Sequence, residues 1–168
     1  MTVMGDERPL TPLNVFSRST ENIGRLMSDF AHTPFVPDGV EYASIEGFYV
    51  ALKFLDPIKR AKVSRLYGSV VKQIGKKSRI ERTCYGGAWF AFGPDAHVEL
   101  IKRAIRAKLR AYPDIARAFA ATDPRPIIHD TGHPEPPDTE FPAAAFCRIL
   151  AEFREEVRQG VQVKEHHL

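Results

Sequence analysis

Long apolar runs are what this sequence most plainly lacks. None approaches the roughly 20 residues that cross a bilayer, and no charged-then-apolar leader opens the chain, so a soluble cytoplasmic protein is expected. Cysteine is scarce as well: Cys84 and Cys147 stand far apart without a C-x-x-C partner, which excludes a disulfide framework or zinc ribbon and leaves two expected free thiols. No internal repeat is present, and Trp89 is the single tryptophan. What remains is 168 residues with 43% hydrophobic content, enough for one real core and too little to promise two.

The small net charge of +3 conceals an uneven distribution. Between Pro57 and Arg82 lie Lys59, Arg60, Lys62, Arg65, Lys72, Lys76, Lys77, Arg79 and Arg82 against the lone acid Glu81. After His129 the balance reverses, with Asp130, Glu135, Asp138, Glu140, Glu152, Glu155 and Glu156. A basic half beside an acidic half points to an anionic ligand on the basic side, a nucleotide phosphate or a nucleic-acid backbone, although a solvated helix face looks the same in sequence. Lys76 and Arg79 are the candidate phosphate contacts.

Residues 1–13, with their prolines and no apolar periodicity, read as a loose arm, 14–160 as one domain and 161–168 as a tail, where His166 and His167 take no role. Phe35-Val36 and Val40-Glu41-Tyr42 flank Pro37-Asp38-Gly39, a turn signal that predicts a small β-hairpin. Ser44 caps a helix striped by Ile45, Phe48, Tyr49, Leu52 and Leu55. Asp56-Pro57 starts a second helix, to about Leu66, and Gly68-Ser69 a third, to Gly75. The glycine-bracketed run Cys84 to Gly93 reads as a loop or short strand. A long amphipathic helix is expected from Asp95 to Tyr112, a shorter one from Pro113 to about Ala121, and a last one through Phe146, Ile149, Leu150, Phe153 and Val157. The proline-dense connection between the last two should lack regular structure. The expected fold class is mainly α, an α+β single domain with one small hairpin.

Two residues in these helices attract attention on chemistry alone. Glu46 falls in the first turn of its helix, where the dipole favours the ionised carboxylate. Lys108 interrupts an apolar stripe of Ile101, Ala104, Ile105 and Tyr112, and a cation there needs an anion or an exit to water. Lys53 lies two turns after Glu46 on the same flank. His129 and His133 would share a helix face as metal ligands only if a helix ran there; Gly132 and Pro134 argue against one, so neither metal nor cofactor is expected.

The order Ser28-Asp29-Phe30, Phe35 through Tyr42, Glu46 with Lys53-Phe54, then Ala104 to Leu109 resembles the NADAR family of YbiA-like proteins, over about Asn14 to Arg158. Glu46, Lys53, Phe54, Ala107 and Lys108 match the family's pattern. The resemblance implies a YbiA-like helical fold and hydrolysis of C–N ribosyl bonds, in riboflavin-pathway phosphoribosyl intermediates or ADP-ribosylated nucleobases. It makes Glu46 catalytic and places Asp29, Lys53 and Lys108 about the substrate, with Trp89, Phe90 and Phe92 as candidates to stack the leaving base. A carboxylate suits this chemistry because it stabilises the oxocarbenium-like sugar or activates water.

The chain also departs from the family. Asp29 replaces an asparagine, Ile45 a serine and Gly47 a histidine, and the segment from Gly132 to Pro142 replaces a Trp-Gly and glycine-rich stretch, with Ala144 and Cys147 where asparagine and glycine would fall. A catalytically degenerate module that binds ADP-ribose, a nucleotide or a protein is therefore the alternative, and a nucleic-acid binder using the basic segment a third reading.

Overall fold

The computed structural model describes residues 10–92 and 96–160. Most of the expected arm, Asp95 as a helix start and the tail with His166 and His167 lie outside the described residues.

The elements run β1 (Leu13–Asn14), α1 (Asn22–Met27), α2 (Ile45–Ala51), α3 (Pro57–Ser64), α4 (Ser69–Lys76), β2 (Arg82–Tyr85), β3 (Ala88–Ala91), α5 (Ala96–Ala111), α6 (Pro113–Ala120), β4 (Ile127–Ile128) and α7 (Ala143–Arg158). The fold is mainly helical, as the apolar stripes require. α2 is the central element, packed by α3, α4 and α5, and its Ile45, Phe48, Val50, Ala51 and Leu52 are all buried. Burying a side chain the size of Phe48 contributes about 1.5–3 kcal/mol. Leu100, Ile101, Ala104, Ile105 and Leu109 of α5 and Phe146, Ile149, Leu150 and Phe153 of α7 complete the core.

Capping sets the ends of α2 and α3. Ser44 Oγ accepts from the Gly47 amide at 2.8 Å and donates to the Leu66 carbonyl at 3.2 Å. That carbonyl crowds position 47, where a Cβ would stand 2.5 Å from it, so a histidine does not fit here. Asp56 caps α3 by accepting from Ile58 and Lys59, with Pro57 in the first turn. α2 stops at Ala51, short of the expected Leu55. The Arg60 guanidinium donates to the carbonyls of Ala51, Leu52 and Phe54 and to Cys84 and Thr83 of β2. Arg60 thus staples the end of α2 to a strand instead of facing a phosphate.

The strand content shifts from the expected hairpin to the glycine-bracketed run, which does hold a strand, and to the proline-dense connection. Phe35 and Tyr42 make only an isolated antiparallel bridge, because Pro37 has no amide to extend the pairing toward the turn and on the other side the Thr33 amide bonds the Ala43 carbonyl in place of the Ser44 one, which breaks the register. The true hairpin is β2–β3, turning on Gly86 and Gly87, whose φ values of +58° and +78° are those of a two-residue hairpin turn that glycine adopts without strain. The proline-dense connection contains β4, which pairs in parallel with β1. Asn14 reinforces the pairing: its side chain donates to the Asp130 carbonyl and accepts from the Asp130 amide. The short helix α1 was not expected; no side chain caps it, and Gly24 in its interior carries no helical signal.

Candidate functional site

Glu46 opens α2, and its backbone amide donates to the Asp29 carbonyl at 2.9 Å, which locks the first turn of α2 to the turn that follows α1. The two side chains are hydrogen-bonded to each other as well. Burial, followed by the Asp29 charge, pushes the Glu46 carboxyl up to about 8, and Lys72 and Lys53 pull the other way without prevailing. This corrects the expectation of an ionised Glu46: desolvation and a neighbouring carboxylate outweigh a dipole effect of about 0.3–1 kcal/mol.

Glu46, Tyr49 and Lys53 follow one another on one face of α2 and its end, and all three line a cleft of about 830 Å³. The Lys53 ammonium, only 6% exposed, meets Glu140 Oε2 at 2.7 Å and donates to the Gly75 carbonyl at 3.2 Å. Gly75 permits that approach, since a Cβ there would stand 2.7 Å from Val50 Cγ2. Tyr49 donates its hydroxyl to the same Glu140 oxygen at 2.6 Å. Burial disfavours the charged form of Glu140, but the bonds from Lys53 and Tyr49 prevail and hold its carboxyl below the usual range.

Around this floor stand exposed cations. Arg18, Lys72, Lys76 and Arg79 line the cleft, Lys72 lying over the Phe30 ring and Arg18 over Phe16. Arg79 pairs with Asp138 at 3.2 Å, both well exposed. The acidic segment after His129 therefore folds back over the basic α4. His129 also lines the cleft, its Nδ1–H donating to the Val15 carbonyl at 2.7 Å. Glu135 accepts from the Ala143 amide at 2.7 Å, so it caps α7. A floor of carboxylates, aromatic walls and a cationic rim suit an anionic ligand of about nucleotide size.

Residues 22–155 match the family described as Bacteriophage protein GP30.3. The chain belongs to that family. This GP30.3-family chain also resembles the solution structure of the E. coli protein YbiA, with a TM-score of 0.65 and 19% identity over 96% of this chain and 95% of that one; the likeness establishes a YbiA-like α+β fold. No curated protein matches the sequence.

Of the residues expected at the site, the GP30.3-family cleft brings together Asp29, Glu46, Lys53, Lys76 and Arg79. Trp89 is not among them. It stands 55% exposed on β3, stacked under the Arg82 guanidinium at 5.2 Å, on the outer face of a ribbon whose Phe90 packs inward. Phe92 backs the site indirectly, beside Tyr49 and under Lys53. Lys108 lies behind the cleft: 2% exposed, it donates to the carbonyls of Leu26 at 2.6 Å and Ser28 at 3.4 Å. It neither pairs with Glu46 nor snorkels. Burial pushes its amine down to about 7 against the Asp29 charge, and its contacts hold the backbone that carries Asp29.

Sequence reasoning passes over Tyr49 and Glu140 as site residues, names Lys72 only within the basic stretch and weighs His129 only as a metal ligand. Tyr49 had a signal, lying one turn after Glu46 on the face that also carries Lys53. Glu140 had none, because its partner Lys53 is 87 residues away.

Proposed function

We propose that this protein is an N-glycosidase of the NADAR type, cleaving the C–N ribosyl bond of an ADP-ribosylated nucleobase or a phosphoribosyl intermediate of the riboflavin pathway. The observation that carries the reading is the Asp29–Glu46 carboxyl pair at the floor of a nucleotide-sized cleft with a cationic rim. With its carboxyl raised to about 8, Glu46 is protonated at neutral pH and is suited to be the general acid. As the C1′–N bond breaks, the Glu46 proton passes to the departing nitrogen. The Asp29 carboxylate faces the oxocarbenium-like sugar and takes the proton from the water that attacks C1′. The products are the free base and a sugar with a new C1′ hydroxyl. The raised Glu46 carboxyl and its Asp29 neighbour divide work that neither does alone. No residue in this scheme calls for a metal or a cofactor.

The test is a panel of ADP-ribosylated bases and phosphoribosyl amines, read for free base by chromatography. Release by the wild type and its loss in Glu46→Gln and Asp29→Asn support the assignment. No release from any member while ADP-ribose still binds would establish the alternative, a degenerate nucleotide-binding module. The specific observation favouring that alternative is that Glu140, from the segment that departs from the NADAR pattern, already occupies Lys53 and Tyr49 inside the cleft.

A further inference from the structure

The Lys53–Glu140 pair is lopsided. The lysine side chain is 4% exposed and the glutamate 35%, so the cation belongs to the wall of the cleft while its anion sits at the edge of the open space. Lys53 finds its counter-charge in this carboxylate, and Tyr49 adds a hydroxyl donor from the same helical face to the same oxygen. Two donors converging on one oxygen are also what a phosphoryl oxygen needs. Glu140 arrives from a segment, residues 131–142, that contains neither helix nor strand. Near Glu140 that segment is held by the Thr139–Pro136 turn, by the exposed Arg79–Asp138 pair and by Phe141 packed on Tyr49 and Phe146. Lys72 and Lys76 stand on the neighbouring rim beside the Arg79–Asp138 pair, where they can receive the outer charge of a ligand seated on Lys53.

We infer that Lys53 Nζ and Tyr49 OH form an anion subsite for a phosphoryl group, that Glu140 fills it when no ligand is bound, and that an incoming phosphate displaces Glu140. The inference rests on the reading of the cleft as the site of a phosphate-bearing ligand. It gives segment 131–142 a role as an internal competitor: the ligand gains Lys53 and Tyr49 only by expelling a carboxylate already there, and its apparent affinity is lowered by the fraction of molecules in which Glu140 is seated.

The decisive measurement is calorimetric titration of the full chain with inorganic pyrophosphate. Glu140→Gln, which keeps shape and hydrogen bonding but removes the competing charge, is expected to bind pyrophosphate about tenfold or more tightly than the wild type. Lys53→Met in the same background is expected to abolish the gain. Affinity unchanged or weakened in a folded Glu140→Gln protein would make the pair purely structural and overturn the inference. If that variant fails to fold, hydrogen exchange on the wild type decides: pyrophosphate should speed exchange at the amides of Thr139, Glu140 and Phe141, and unchanged or slower exchange refutes displacement. Tighter pyrophosphate binding without turnover of any ribosyl substrate would leave the subsite standing and remove the glycosidase reading. Turnover without that gain would do the reverse.

Discussion

The floor and the rim of the cleft carry similar charges in opposite circumstances. On the floor Asp29 and Glu46 are bonded to each other, and Lys108 is buried behind them on backbone carbonyls. On the rim Arg79 and Asp138 face each other in water. Desolvation raises the Glu46 carboxyl and lowers the Lys108 amine, whereas an exposed pair is screened and contributes roughly 0–1 kcal/mol. Chemistry that needs a proton held on a carboxyl at neutral pH belongs on the floor, while the exposed cations of the rim attract an anion without fixing its place.

Glu46→Gln should cut turnover about 100-fold or more with the thermal melt retained. A wild-type rate in that variant would end the distinction between floor and rim. Lys108→Ala should cost about 2–5 kcal/mol of stability in urea unfolding, because it opens a cavity and strands the Leu26 and Ser28 carbonyls; a loss below ~1 kcal/mol would show that the backbone carrying Asp29 holds without it.

The pH dependence of stability separates the two floor groups by sign. Glu46 is raised in the fold from 4.5 to about 8, so the folded chain binds the extra proton and the stabilisation from Glu46 falls as pH rises through that interval. Lys108 is lowered from 10.5 to about 7, so the unfolded chain binds the extra proton and stability recovers as pH rises from about 7 toward 10.5. Melting temperatures across pH should therefore lose the first slope in Glu46→Gln and the second in Lys108→Met. Slopes that survive those substitutions would assign the titration to other groups.

Smaller effects are expected on the rim. Charge reversal at Lys72 or Lys76 should weaken nucleotide binding several-fold, by loss of about 1 kcal/mol per phosphate contact, and steepen no stability curve. Arg79→Ala should change stability by less than ~0.5 kcal/mol. An Arg79 effect as large as that of Lys108 would mean that segment 131–142 is anchored by its exposed pair and not by Glu140.

The helices were legible because their information is local. Ser44 and Asp56-Pro57 announce the starts of α2 and α3 by cap chemistry, and the stripes of α5 and α7 predict which residues are buried. Glu46 and Lys53 were legible as a pair on one flank. The Phe35–Tyr42 bridge falls short of the expected hairpin because the register breaks where Thr33 bonds Ala43 and Pro37 has no amide to donate. Trp89 was placed at the site on its residue type, while the face it occupies depends on how the β2–β3 ribbon lies on the core.

By itself the sequence determined the starts of α2 and α3, the buried stripes of the longer helices and the presence of a basic and an acidic half, all of which follow from caps, periodicity and composition within a few turns of chain. Only the tertiary structure decided that the two halves close on each other through Lys53–Glu140 and Arg79–Asp138, and that Lys108 serves a backbone and not a ligand. It also decided that Glu46 holds its proton. Protonation is set by desolvation and by the nearest charge, and here both arise from Asp29 and from walls that meet Glu46 only after the chain has folded.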